Sequence, residues 1–138
     1  MYRLHIEREI AVSHQLTLHE GKCKNLHGHN LKVEVDLESA DLQGTKGSSG
    51  MLIDFGAIKS LIDELDHKHL NDFFSDMQTK TNSESLSNKF YYLSIQPTAE
   101  RLAEYFVYRV KNLFPLCEDI KVKVRVHEAT NQWAEYEE

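Results

Sequence analysis

From His27 to Leu37 the chain alternates: His27, His29, Leu31, Val33, Val35 and Leu37 share one parity, against Asn30, Lys32, Glu34 and Asp36. Successive side chains of a β-strand point to opposite faces, so this run reads as a strand with one buried and one wet face. Two other segments carry the same pattern. Leu4, Ile6, Ile10, Val12 and His14 share parity, with Arg8 as the one break. Ile120, Val122, Val124, Val126 and Glu128 share parity, against Lys121, Lys123, Arg125 and His127. Three half-wet strands predict an antiparallel sheet that needs a cover on its apolar face. A short fourth strand is expected around Gln132 to Tyr136, pairing with the third.

The cover comes from two helical stripes. Ile58, Leu61, Ile62 and Leu65 follow i, i+3, i+4, i+7 after a break at Gly56. Leu102, Phe106, Val110 and Leu113 form the second stripe, opened by Pro97-Thr98 and closed near Pro115. Thr98 is placed to cap that helix, with Glu100 and Glu104 near its positive end. Gly44 to Gly50 reads as a flexible turn, and the polar stretch from Ser75 to Ser94 as an excursion loop. The expected fold class is α+β: an antiparallel sheet with two helices on one face, in a single domain spanning residues 1–138. So small a sheet has free edges, which closure of several copies edge to edge into a barrel would remove; a homo-oligomer is expected.

Composition excludes several functions. The 138 residues carry a formal charge of −6 and no Lys/Arg block, which argues against general nucleic-acid or membrane-surface binding. Apolar runs such as Met51-Leu52-Ile53 are too short for a transmembrane helix. The start, Met1-Tyr2-Arg3-Leu4-His5-Ile6-Glu7, lacks a signal-peptide core. Two cysteines, Cys23 and Cys117, make no disulfide scaffold, and reduced thiols in a cytoplasmic protein are expected.

The eight histidines are numerous for this length, and their placement matters more than their number. His27 and His29, two residues apart on one strand, face the same way. His14 ends the preceding strand on its apolar face, where an antiparallel partner brings it alongside. Three neutral imidazoles around zinc leave a fourth position open, the arrangement of a catalytic site. A buried imidazole needs a partner, and for three on one face a shared metal competes well with three separate hydrogen bonds. His5, on the opposite parity, and His19, in a loop, are weaker candidates. Cys23, four residues before His27 and flanked by Lys22 and Lys24, is open as a fourth ligand, a nucleophile, a base or an idle thiol.

Taken in order, the motifs resemble those of the 6-pyruvoyltetrahydropterin synthase family, which includes the 6-carboxytetrahydropterin synthases of queuosine biosynthesis. The matching residues are Ser13-His14, Lys22-Cys23-Lys24-Asn25-Leu26-His27-Gly28-His29-Asn30, Ile53-Asp54-Phe55, Leu65-Asp66-His67 with Leu70-Asn71, Pro97-Thr98-Ala99-Glu100-Arg101-Leu102-Ala103 and Val126-His127-Glu128-Ala129-Thr130. The resemblance implies the tunnelling fold (T-fold), with sheets assembled into a barrel of trimers or hexamers. It also implies Zn2+ held by His14, His27 and His29, with Cys23, Asp66 and His67 as a catalytic relay. Glu128 would anchor a pterin ring by accepting hydrogen bonds from its guanidine-like edge. Thr98 would touch the pterin, cap its helix, or do both. One departure is Ala129, which separates Glu128 from Thr130 where many relatives place Thr directly after Glu.

The three residues between Cys23 and His27 resemble the shorter interval of the bacterial carboxy-forming enzymes. The implied reaction converts 7,8-dihydroneopterin triphosphate to 6-carboxytetrahydropterin, acetaldehyde and triphosphate. Alternatives are a pyruvoyl-forming synthase, a non-catalytic zinc or pterin binder, and a structural zinc domain using Cys23 as fourth ligand.

Overall fold

A computed structural model describes residues 1–44, 47, 49–114 and 119–138. The long alternating runs form β1 (Tyr2–His14) and β2 (His27–Ser39), paired antiparallel along their whole length, from Tyr2 opposite Ser39 to His14 opposite His27. Two residues form β3 (Lys68–His69), which runs parallel to the end of β1. The third alternating run is β4 (Lys121–Ala129), antiparallel to β2, and β5 (Gln132–Glu137) returns beside it as expected. The sheet order is β3-β1-β2-β4-β5.

The apolar parity of each strand is the buried one. Ile6, Ile10, Val12, Leu31, Val33, Val35, Leu37, Val122, Val124 and Val126 join one core with the helices. The break at Arg8 has a physical reason. Arg8 faces Asp63 at the end of the first helix and donates to both carboxylate oxygens, at 2.8 and 2.7 Å. The wet face carries cross-strand ion pairs such as Arg3–Glu38 at 2.7 Å.

Among the described residues four α-helices are present where two were expected. The first stripe is α1 (Phe55–Asp63), whose start is capped by Asp54 accepting the Gly56 N–H; Gly56 thus lies inside the first turn. The stretch read as a loop from Ser75 to Ser94 is instead mostly helical, in α2 (Leu70–Lys80) and α3 (Glu84–Ile95), which pack on each other. Their apolar stripes, Leu70-Phe73-Phe74-Met77 and Leu86-Phe90-Leu93, have helical spacing but are thin among polar residues, and Ser83 caps α3. The last is α4 (Ala99–Lys111), capped by Thr98, whose hydroxyl accepts the Arg101 N–H at 3.3 Å. Leu113, assigned to this stripe, lies beyond the helix and is exposed; Phe114 is buried instead. Helix α1 packs on β1, and α4 on β4 and β5. Among the described residues no helix is long and apolar enough to cross a membrane. Pro115 and Cys117 lie outside the described residues.

Candidate active site

The register of β1 with β2 builds a triangle of imidazoles at one end of the sheet. His14 and His27 are direct partners, and His29 stands opposite Val12 on the same face. Ring centroids lie 4.5, 4.9 and 4.8 Å apart for the pairs 14–27, 14–29 and 27–29. Each ring offers a nitrogen within 4.8 Å of those of the other two. Gly28 lets the strands approach here, because a Cβ would sit 3.3 Å from the Val12 carbonyl oxygen.

The hydrogen bonds around the triangle determine where the lone pairs are. Carbonyl oxygens only accept, so the bonds from His14 Nδ1 to Pro97 O at 3.0 Å and from His27 Nδ1 to Asn25 O at 2.7 Å require both Nδ1 atoms to carry protons. In the neutral rings both Nε2 atoms are then bare lone pairs, and they face each other at 2.9 Å. A proton or a metal cation must lie between them. Burial disfavours the proton, pushing the His14 pKa down to about 4. The Nε2 of His29 is buried as well and has no hydrogen-bond partner among the described residues. Two facing lone pairs anchored from behind on backbone carbonyls, with a third imidazole nitrogen within 4.8 Å of them, are the donor set of a zinc site, in which ligand nitrogens stand roughly 3.3 Å apart. The residues fit the metal.

A cleft of about 330 Å³ gathers Cys23, Thr98 and Glu128, together with Leu16, His19 and Trp133. Cys23 is a free, half-buried thiol in a single 3-10 turn (Lys22–Lys24), and its carbonyl accepts the Leu16 N–H at 2.8 Å. It is not a member of the imidazole cluster. His19 also borders the cleft, and its Nδ1 accepts the Gly21 N–H at 2.8 Å. Glu128 owes its place to an irregularity: the β4–β5 pairing shifts between His127 and Ala129, leaving Glu128 without a partner in the ladder. Such a bulge bends the strand and re-aims a side chain. Parity alone assigned Glu128 to the buried face; it is half-buried at the cleft instead.

Asp66 and His67 lie elsewhere on the chain. They occupy the turn before β3, clamped to the β1 edge: Asp66 Oδ1 accepts the Ala11 N–H at 2.8 Å, and the His67 N–H donates to the Ala11 carbonyl at 2.6 Å. His67 has a φ of 60°, an uncommon left-handed conformation for a non-glycine residue. Its ring is 83% exposed and 3.7 Å from Asp66, and it borders a separate cleft with His69, Asp72 and Lys80. One chain therefore does not bring Cys23, Asp66 and His67 into one cleft.

Comparison with known proteins decides the family. The family model for 6-pyruvoyl tetrahydropterin synthase matches residues 3–138. The chain belongs to the 6-pyruvoyl tetrahydropterin synthase family. Among curated relatives, the 6-carboxy-5,6,7,8-tetrahydropterin synthase of Haemophilus influenzae is 30% identical over 146 aligned positions, covering all of both chains. The enzyme of the same name from Aquifex aeolicus is 34% identical over 128 positions, covering 85% of this chain and 76% of its own. The solved structure of Caenorhabditis elegans 6-pyruvoyl tetrahydropterin synthase superposes with a TM-score of 0.61 at 23% identity, covering 100% of this chain and 97% of that one. That of Plasmodium vivax gives 0.63 at 18% identity, covering 99% and 97%. These likenesses establish the tunnelling fold, and the chain is an enzyme of this synthase family.

Some contributors to this synthase-family site were not anticipated. The Pro97 carbonyl that orients His14 carries no side-chain signal at all. Asn71, noted only as part of a motif, accepts the Gln15 N–H and donates to the carbonyls of Gln15 and Ser94, fixing the chain just after His14. Trp133, at the cleft, was absorbed into the pattern of a strand.

Proposed function

We propose that this chain is a zinc-dependent 6-carboxytetrahydropterin synthase acting on 7,8-dihydroneopterin triphosphate, in the 7-deazaguanine route to queuosine. The observation that carries the reading is the imidazole triangle with its two facing lone pairs and the orphaned His29 Nε2, beside a cleft holding Cys23, Thr98 and Glu128. The full-length match to a relative of that name supports the carboxy-forming branch.

His14, His27 and His29 would hold zinc, which supplies a Lewis acid that acidifies and orients side-chain hydroxyls of the substrate. The chain's own groups do the rest. The Glu128 carboxylate accepts hydrogen bonds from the guanidine-like edge of the pterin and fixes the ring. Thr98 borders the same cleft while capping α4. Cys23 as a thiolate takes a proton from the substrate side chain, and His67, oriented by Asp66, delivers or accepts one on the other side. The conversion needs no external oxidant: the side chain loses the electron pair that the ring gains, and one water balances carboxypterin, acetaldehyde and triphosphate.

Topology supports a composite site. Beyond the two-residue β3, the outer edges of β1 and β5 are available for pairing with other copies. If the β5 edge of one copy pairs antiparallel with the β1 edge of the next, rotational symmetry keeps all site ends at one end of a barrel. The Asp66–His67 turn, clamped to Ala11 on β1, then meets the neighbour's cleft at Gln132 and Trp133, where β5 begins. A homo-oligomer, trimeric or hexameric, completes the relay in this way.

The test is product analysis from zinc-loaded protein given 7,8-dihydroneopterin triphosphate. Stoichiometric acetaldehyde and 6-carboxytetrahydropterin support the reading. Triphosphate release with a retained three-carbon side chain assigns the pyruvoyl-forming reaction instead, and pterin binding without product makes the chain a binder.

A further inference from the structure

We infer that Asn71 is a positioning residue for the Cys23 thiol, an assignment that rests on the reading of Cys23 as a proton-transfer group. Strand β1 ends at His14, and its neighbour β3 leaves the ladder once His69 has paired with Ser13. The chain then turns into α2, and the side chain of Asn71, in that helix's first turn, takes over the pairing. Its Oδ1 accepts the Gln15 N–H at 2.9 Å, and its Nδ2 donates to the Gln15 carbonyl at 2.8 Å. The other N–H of the same amide donates to the Ser94 carbonyl, also at 2.8 Å. A carboxamide suits this place because it carries an acceptor and two N–H donors on one short stem.

Ser94 and Ile95 end α3, where helix carbonyls lack an intrahelical partner. Asn71 meets the first of them. Thr17 meets the second with its N–H at 3.3 Å and its hydroxyl at 2.8 Å. The Leu18 N–H donates to Gln96 Oε1 at 3.1 Å. The segment from Gln15 to Leu18 is thereby stitched to the end of α3, and Leu16, within it, donates its N–H to the Cys23 carbonyl at 2.8 Å. The thiol-bearing loop takes its place from this seam. The imidazoles are anchored separately, His14 on the Pro97 carbonyl and His27 on that of Asn25, and Asn71 takes part in neither bond. Loss of the Asn71 amide therefore loosens the thiol and spares the zinc ligands.

The test is a double-mutant cycle on zinc-loaded protein, with turnover of 7,8-dihydroneopterin triphosphate expressed per bound zinc. Asn71→Ala keeps stoichiometric zinc and loses roughly 10- to 100-fold in kcat, the scale of misplacing a reacting group by about an ångström, with KM little changed. The same substitution made in Cys23→Ala costs nothing further, because the group it places is already gone. Iodoacetamide gives a second readout, with peptide mass spectrometry separating Cys23 from Cys117. Below the melting temperature Cys23 is alkylated faster in Asn71→Ala than in wild type. Thr17→Val removes only the hydroxyl bond to Ile95 and shows the same changes to a smaller degree.

A merely structural amide would lower the melting temperature while leaving kcat per zinc and the alkylation rate as in wild type, and that result overturns the assignment. An equal loss of kcat with and without Cys23 overturns it too, since Asn71 would then act elsewhere. If Asn71→Ala does not fold, Thr17→Val decides by the same measurements. If wild type has no turnover, or Cys23→Ala has undiminished turnover, the functional reading fails, and alkylation alone decides the placement. Faster alkylation in the variants then upholds Asn71 as the residue that holds the thiol loop, and an unchanged rate overturns it.

Discussion

His14 and Pro97 are joined across 83 positions of sequence, the imidazole Nδ1–H donating to the proline carbonyl at 3.0 Å. That bond fixes the tautomer of a candidate ligand and ties its ring to the segment that starts α4. The imidazole triangle is thus braced by the segment that starts α4, at one end of a hydrophobic core that extends along the sheet from Val12 and Leu31. Chelation should therefore remove zinc with little change in far-ultraviolet circular dichroism. A structural zinc domain would unfold outright under the same treatment. Metal analysis should show His27→Ala and His29→Ala without stoichiometric zinc. Cys23→Ala should keep its zinc and lose roughly 10²- to 10⁴-fold in kcat, the range for removing a proton-transfer group. Loss of zinc from Cys23→Ala would make the thiol a ligand.

Gly28 separates two of the three histidines and leaves little room for a side chain. Gly28→Ala puts a methyl group 3.3 Å from the Val12 carbonyl oxygen, so the strand ends must part by a few tenths of an ångström where the imidazoles converge. Competition with a chromophoric chelator should show zinc affinity reduced roughly tenfold, the scale of disturbing a group that orients a ligand. Unchanged affinity would mean that the strand ends yield without moving the rings.

On the wet face, the His5 ring spans two carboxylates, Glu7 at 3.0 Å and Asp36 at 2.6 Å. Their hydrogen bonds, that of Glu7 foremost and then Asp36, raise its pKa above the usual 6.5. The nearby Glu34 is paired with Lys32, and Lys123 reaches Asp36 at 3.9 Å. A raised folded-state pKa means that the folded chain holds a proton the unfolded chain releases. The stabilisation is fully present below pH 6.5 and is lost as pH rises through the folded value. Because the ring is half exposed, the effect is small. Thermal melts of wild type and His5→Gln should differ most in mild acid and converge at alkaline pH.

How much of this was legible in the sequence depends on how each feature is encoded. Period-two alternation is a local signal, so β1, β2 and β4 were legible, and with them the convergence of His14, His27 and His29. Helices α2 and α3 were missed because a thin stripe such as Leu86-Phe90-Leu93 is diluted by serine, asparagine and lysine, and its burial depends on α2 packing against α3. The two-residue β3 exists only because Asp66 and His67 clamp to Ala11, a contact spanning 55 positions that no local pattern announces. Glu128 illustrates the opposite failure. Parity gave it a buried face, and a one-residue shift in pairing at Ala129 overrode parity.

The separation of Cys23 from His67 predicts intersubunit complementation. Within one chain the thiol borders one cleft and the imidazole another, with His67 held outward by a left-handed backbone and two bonds to Ala11. If the relay forms between copies, Cys23→Ala and His67→Ala each inactivate every site in their own homo-oligomers. Co-refolded in equal amounts, the two variants assemble mixed rings in which some interfaces join an intact Cys23 to an intact His67. Random mixing restores about a quarter of wild-type activity, since each site then draws one residue from each of two independently chosen subunits. Activity that stays at the level of the separate variants, while sedimentation confirms mixed oligomers, would show that each chain supplies its own relay or that His67 takes no part in it.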